Sequence, residues 1–385
     1  MIYFCLLGAI YFLNVLGRML FPMILPQLAE EYLLSSSKLG ALYLLLAFGF
    51  GLSLFGAQFL SAKISHKQAI SLSAISGGCL LCLFPSISHF YALGAFLFCL
   101  GGASGLFLPS AIAYLRHLFH ENLRGRVVGS FSSFQTLSMI VTPLIAGRIG
   151  GISSLRSLCL ILGVSLILSG LIFEATAKNR TERGDLPSLD YFKEAITSPT
   201  NRWVFVLHVL AMGLNLGIYL TAPAYFSIDH IVPQDTIYAT LSLSRVMGIF
   251  ASILGGILID FWGLRFALTA VLFSAGISTC CLGIFPPTYA LFLLSFQGAI
   301  AIGFTTMIYA ALAKISPKGR SASLVSLFAS SSFFLGAGVI PHLFGLLGSW
   351  QLYSLGFTLL GLGSASISFF FFRHFRVRVG EFSVD

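Results

Sequence analysis

Asn14-Val-Leu-Gly-Arg18-Met-Leu-Phe-Pro22-Met-Ile-Leu-Pro26 sets a guanidinium inside an apolar run that begins at Ile2. A run of roughly 20 apolar residues is what a helix needs to cross the hydrocarbon core of a bilayer. A charge at that depth costs from a few to roughly 10 kcal/mol or more unless it faces water, a partner or a ligand. Glu30 and Glu31 stand more than two turns beyond Arg18, past Pro26, so no acid on the same helix reaches it. Arg18 therefore needs a carbonyl or polar side chain from another helix, or an anionic solute in a wet cavity.

The composition outside this stretch points the same way. Of 385 residues, 57% are hydrophobic and 9% charged, and the mean hydropathy is +0.94. A soluble domain carries about 25% charged residues, so the chain reads as a polytopic membrane protein. Its 39 glycines and 13 prolines fit helices that pack closely in lipid and carry kinks. The net charge of +9 does not point to nucleic acid, because the basic residues sit in short clusters between apolar runs. All seven cysteines fall inside apolar runs. Cys79 and Cys82 have no second pair or histidine at metal-ligand spacing, and read as small packing residues. The first run lacks a basic leader and a small-residue cleavage site, so it reads as a helix rather than a signal peptide. No nucleotide loop, zinc cluster or nucleophile constellation is present; neither an enzyme nor a bound cofactor or metal is expected.

The length criterion predicts twelve spans, at 2–27, 38–62, 68–88, 90–118, 126–149, 153–174, 203–228, 236–259, 265–285, 288–313, 321–346 and 349–372. The expected fold is thus an all-α membrane protein of two six-helix halves, 1–174 and 203–385, joined by a cytoplasmic linker, 175–202. Leu189 to Ile196 reads equally as a short surface helix or as plain linker. Orientation follows from lysine and arginine. With the N-terminus inside, the cytoplasmic segments hold Lys63, Lys67, Arg116, Arg124, Arg126, Lys178, Arg180, Arg183, Lys193, Arg202, Arg265, Lys314, Lys318, Arg320, Arg373, Arg376 and Arg378. The outside keeps Lys38, Arg148 and Arg156. Both termini are therefore expected in the cytoplasm, the membrane being a bacterial inner membrane. A reporter fused after Lys178 should be cytoplasmic and one after Asp229 extracytoplasmic; the same side for both would overturn this topology.

The halves repeat. A shift of 198 residues carries Leu60, Ala62, Ser65 and Lys67 onto Leu258, Asp260, Gly263 and Arg265. It carries Pro143, Gly147 and Gly150 onto Pro341, Gly345 and Gly348, and the glycine-rich Gly101–Gly105 onto the region of Gly298–Gly303. Parallel six-helix repeats are the architecture of secondary transporters that rock about a midplane site.

At Gly255-Gly-Ile-Leu-Ile-Asp260-Phe-Trp-Gly263-Leu-Arg265 the chain resembles the major facilitator superfamily, over essentially its whole length. The stretch is similar to that family's G-x-L-x-D-R-x-G-x-R loop, with Phe261 in place of the first basic residue. The resemblance implies a conformational latch of Gly256, Asp260, Gly263 and Arg265, joined by Arg124. Gly256 lets helices approach, Gly263 permits a tight turn, and Asp260 accepts from a helix N-terminus or pairs with a basic neighbour. The first-half copy, Gln58 to Lys67, lacks the acid and both glycines.

Within the family the chain is most similar to the organic-anion branches, the anion:cation symporters and organophosphate antiporters. These carry an arginine in the first helix eight residues before a proline, the spacing of Arg18 and Pro26, and the symporters match Asn14 as well. Gly105-Leu-Phe-Leu-Pro109 and Phe119-His-Glu121-Asn-Leu-Arg124-Gly125 resemble their run out of helix 4. The departures are Ser104 for a symporter glutamate, Gly17 for an aspartate, and Asn215, eight residues before Pro223, for a second antiporter arginine. The drug-exporter pattern of helix 5 is poorly met by Ser138 to Gly147.

Buried polar residues in such a bundle are site candidates. Arg245 is the second intramembrane cation, for a solute or for hydroxyls such as Ser242 and Ser244. Asn14, Asn215, Gln135, Gln297, Tyr219 and Tyr309 bind a solute or hold helices together. His208 and His342 are candidates for proton coupling or ordinary packing residues. Tyr3 to Arg18 and Arg245 to Asp260 each span 15 residues. Both guanidiniums are then roughly 22 Å from the inner boundary, and are expected to share one anion. The leading reading is a monomeric carrier of a small anionic solute, with the lipid bilayer as its other partner and no nucleic acid. The alternatives are an exporter of hydrophobic or cationic compounds, and a sensor that keeps the fold without flux.

Overall fold

The computed structural model describes residues 2–178, 197–229, 232–315 and 321–375. The linker 179–196, with its expected surface helix Leu189–Ile196, lies outside them, as do the tail from Arg376 and the side chain of Arg124. Every element among the described residues is helical. The chain divides into two compact units, Met1–Leu34 with Ala41–Pro187, and Ser35–Gly40 with Ser188–Asp385.

The first unit is built from α1 (Ile2–Glu31), α2 (Ser36–Ser61), α3 (His66–Leu83), α4 (Phe90–Gly105), α5 (Phe107–Leu118), α6 (Glu121–Ala146) and α7 (Ile152–Thr176). Helix α1 runs through both of its prolines. Pro26 has no N–H to bond the carbonyl of Pro22, and the hydroxyl of Tyr43 on α2 donates to that oxygen instead (3.3 Å). Such replacement donors are what make proline tolerable in a membrane helix. Phe21, Phe84 and Phe96 fill the core between α1, α3 and α4, with centroids 5.0 and 4.9 Å from Phe21.

The second unit comprises α8 (Pro199–Met212), α9 (Ile218–Ala224), α10 (Gln234–Ile284), α11 (Pro287–Ile315), α12 (Ser321–Phe334), α13 (Ile340–Ser349) and α14 (Tyr353–His374). Short π-helical segments, Gly213–Gly217 and Leu335–Val339, interrupt these α-helices without ending them, and a third, Tyr225–Asp229, follows α9.

The expected count of twelve spans is corrected here. Among the described residues, eleven helices are long and apolar enough to cross a membrane. The spans expected at 236–259 and 265–285 lie in one 51-residue stretch, α10, whose two helical parts meet directly at a kink at Gly263. No polar loop parts them; the only residue to leave helical geometry is Gly263, at φ 75° and ψ 157°. That region is accessible essentially to glycine alone.

Gly256 differs from expectation too. A Cβ there would meet nothing within 4 Å, whereas one at Gly255 would lie 3.3 Å from the carbonyl oxygen of Gly303. The close approach to α11 is thus at Gly255. Two opposite effects follow. Gly256→Ala removes a mid-helix glycine and is expected to stabilise by roughly 0.5–1 kcal/mol. Gly263→Ala forces a Cβ into a glycine-only conformation and is expected to destabilise by roughly 1–3 kcal/mol. Thermal unfolding of the purified variants should shift in opposite directions; shifts of the same sign would contradict this account.

The internal repeat is visible in contacts as well as in residues. Gly163 of α7 packs on Gly78 of α3, where an added Cβ would lie 2.7 Å from the Gly78 carbonyl oxygen. Gly361 of α14 packs on Gly276 of α10, with 2.6 Å for the same contact. The two pairs are related by the same shift of 198 residues. Lys67 pairs with Glu174 (3.7 Å), which also accepts from Ser71 (2.6 Å). At the corresponding positions Arg265 donates to the carbonyl of Phe372 and stacks on its ring, 4.6 Å from the centroid. Arg265 therefore ties α10 to the end of α14. Asp260 is exposed and forms no ion pair among the described residues.

Candidate functional site

The two intramembrane arginines are buried, Arg18 at 4% exposure and Arg245 at 3%. Each lies with its guanidinium carbon 3.8 Å from the centre of an aromatic ring, Phe50 for Arg18 and Tyr219 for Arg245. The arrangement is crossed. In the first unit the cation is on α1 and the ring on α2. In the second the ring is on α9 and the cation on α10.

Around Arg245 the structure gathers residues that the sequence presents separately. Arg245 Nη1 donates to the side-chain oxygen of Asn215 (2.5 Å), and Nη2 to the Asn215 carbonyl (3.4 Å). Asn215 Nδ2 in turn donates to Thr305 Oγ1 on α11 (3.2 Å). The hydroxyls expected to satisfy Arg245 are not its hydrogen-bond partners here; Ser244 donates to its own helix at Leu241 (2.6 Å).

Asn215 lies in the π-helical segment Gly213–Gly217, and this explains the cluster. A π turn shifts the hydrogen-bond register and leaves carbonyls without their usual partners. Donors from α10 and α11 reach them. Gln297 Nε2 donates to the Leu214 carbonyl (2.9 Å) and to Thr279 (3.1 Å), and Thr305 Oγ1 faces the Ala211 carbonyl (3.4 Å). Gln297 is thus a brace of the backbone. The segment also faces the π segment Leu335–Val339: an added Cβ at Gly336 would lie 2.5 Å from Met212 Cβ and 2.6 Å from Gly213 N.

Within the second unit, His208, Tyr309 and His342 do not join this cluster by any hydrogen bond or ring contact found among the described residues. Asn14 donates to Ser73 (3.3 Å), which donates to the Ala103 carbonyl (2.6 Å), so Asn14 links α1, α3 and α4. Gln135 accepts from Tyr11 (2.7 Å), whose ring stacks against both Phe107 and Phe131. His208 is 0% exposed, and neither ring nitrogen has a hydrogen-bond partner among the described residues. Tyr309 meets it edge-on at 5.1 Å and is itself 41% exposed. His342 is half-buried on α13. Sequence reading missed Phe50, Thr305 and Ser73. Ser73 and Thr305 left a signal, as hydroxyls within the third and tenth expected spans.

A family model described as Major Facilitator Superfamily matches residues 7–341. No curated protein matches the chain. Among solved structures, a bacterial homolog of the human lysosomal transporter Spinster, inward-facing and occupied, is 16% identical. It covers 97% of both chains with a TM-score of 0.82. A nucleoside transporter, NupG, is 15% identical over 96% of this chain and 100% of its own, with a TM-score of 0.73. A D-xylose–proton symporter is 15% identical over 94% and 97%, with a TM-score of 0.70. At such identities the likeness is one of fold.

Proposed function

The chain belongs to the Major Facilitator Superfamily, and on that premise we propose that it carries a small anionic organic solute across the membrane by alternating access. Membership makes it a multi-pass transport protein of a small solute rather than an enzyme. The observation that carries the anionic reading is the pair of buried guanidiniums, each set against an aromatic face. A desolvated cation–π contact contributes about 2 kcal/mol, against a burial cost of a few to roughly 10 kcal/mol or more. For Arg245 the Asn215 carboxamide adds hydrogen bonds but no negative charge. Among the described residues no acid forms an ion pair with Arg245. A solute carboxylate or phosphate supplies the missing charge, and the arginine fork donates to its oxygens bidentately. Asn215 adds support: it stands where the resembling antiporters carry arginine, and Arg245 brings a guanidinium to it from the next helix.

The test is a thermal-shift screen of the purified protein against phosphate esters, carboxylates, amino acids, neutral sugars and nucleosides. Stabilisation by anions is the expected result. Stabilisation by a neutral sugar or nucleoside, with anions inert, overturns the reading. Counter-flow of the labelled hit in proteoliposomes then separates a carrier from a sensor, which binds without exchange.

Exchange or facilitated diffusion is the expected mode, because the symporter glutamate of helix 4 is Ser104 here. Proton-driven uptake would have to run through His208 or His342, and is expected to vanish in a His208→Ala/His342→Ala double variant. Uphill accumulation driven by a pH gradient and surviving in that variant would exclude both histidines and the exchange mode.

A further inference from the structure

We propose that the Asn215 side chain is an internal stand-in for the solute at Arg245, and that its displacement by an anion loosens the π-helical segment Gly213–Gly217. The inference rests on the anionic reading above and adds a competitor and a coupling step to it.

The guanidinium has five N–H donors in a planar fork. Two of its nitrogens are engaged, both by one residue: Nη1 by the Asn215 carboxamide oxygen at 2.5 Å and Nη2 by its main-chain carbonyl at 3.4 Å. Nε has no hydrogen-bond partner among the described residues, although the side chain is sealed from solvent. A carboxamide offers one neutral oxygen. An oxyanion offers two or more, with a full negative charge, and so pairs with the fork bidentately where the carboxamide oxygen meets one nitrogen. An anion at this fork therefore displaces the Asn215 side chain and engages Nε as well.

The displaced carboxamide still has a partner in Thr305, to which Nδ2 already donates at 3.2 Å. The main-chain carbonyl of Asn215 keeps the Ile218 N–H and loses the second donor, Arg245. Binding thus withdraws a brace from a segment whose backbone is already out of α-helical register. The segment has no room to relax alone. Gly336 of the π segment Leu335–Val339 lies directly against Met212 and Gly213, and an added Cβ there would overlap both. A register change at Asn215 is therefore passed to Leu335–Val339.

The experiment uses the full-length protein in nanodiscs, with inorganic phosphate as probe. Affinity is measured by titration, and hydrogen exchange is followed over residues 209–217. Asn215→Ala is expected to bind phosphate about tenfold tighter than the parent, a gain of about 1.4 kcal/mol. Asn215→Asp, which seats a carboxylate on Arg245, is expected to bind at least about tenfold weaker. Exchange in the segment should rise with phosphate in the parent and be raised already, without phosphate, in Asn215→Ala. Asn215→Ser serves as the second variant should alanine impair folding, with the same sign expected.

Equal or weaker binding by both Asn215→Ala and Asn215→Ser overturns the inference, since Asn215 is then a ligand or a passive brace. The anionic reading is judged separately with Arg245→Gln. Loss of phosphate binding there, without tightening in the Asn215 variants, leaves that reading standing and removes only the competitor. Unchanged binding in Arg245→Gln, or no binding by the parent and Asn215→Ala alike, removes both.

Discussion

Arg245→Lys is expected to lower solute exchange about tenfold to a hundredfold while the protein still folds, and Arg18→Lys to do the same. Lysine keeps the charge and loses the fork. The loss is then one or two charge-assisted hydrogen bonds, each worth about 1.5–3 kcal/mol. For Arg245 it also includes the planar contact with Tyr219, 3.8 Å from the ring centre, which an ammonium reproduces poorly. Counter-flow of the anion identified by thermal shift is the measurement. The double variant then reads whether both guanidiniums act on one solute: a loss well short of the product of the two single losses means that they do. Normal exchange by Arg245→Lys would return that residue to a purely structural role, as the cation that braces the π segment at Asn215.

Gly163→Ala and Gly361→Ala should each destabilise the protein by about 1–3 kcal/mol or more, the range for overpacking a close-packed contact. The atoms that a new methyl would meet give little. At Gly163 they are the Gly78 carbonyl oxygen at 2.7 Å and Cys82 Sγ at 2.6 Å; at Gly361 they are the Gly276 carbonyl oxygen at 2.6 Å and the Cys280 backbone. Helix pairs α3–α7 and α10–α14 must therefore separate to admit it. Gly363→Ala is the control on the same helix as Gly361, since a Cβ there meets nothing within 4 Å. It should unfold at the parental temperature or slightly above. A Gly361→Ala variant as stable as Gly363→Ala would show that the contact is looser than the structure has it.

These two glycine pairs also mark how far the sequence could have been read. Gly78, Cys82 and Gly163 reappear as Gly276, Cys280 and Gly361 at the shift that relates Lys67 to Arg265. The signal was available. Its meaning was not, because a periodic glycine in lipid marks a close approach only once the facing helix is known.

What the sequence by itself determined is the membrane class, most of the spans and the presence of two intramembrane arginines. A bilayer imposes length and apolarity on each segment separately, so these are local properties. The tertiary structure decided the rest. It joined the two helical parts of Gln234–Ile284 directly at a kink, because Gly263 alone leaves helical geometry where a loop was expected. It moved the close approach from Gly256 to Gly255, which depends on the side of α10 that faces α11. It joined Arg245 to Asn215, thirty residues earlier in the chain, and set Asn14 and Gln297 to bridging helices. A helix in lipid has few polar groups to satisfy, and any neighbour that offers a donor or acceptor at the right height will serve. Which neighbour does so is settled by packing, and no spacing along the chain records it.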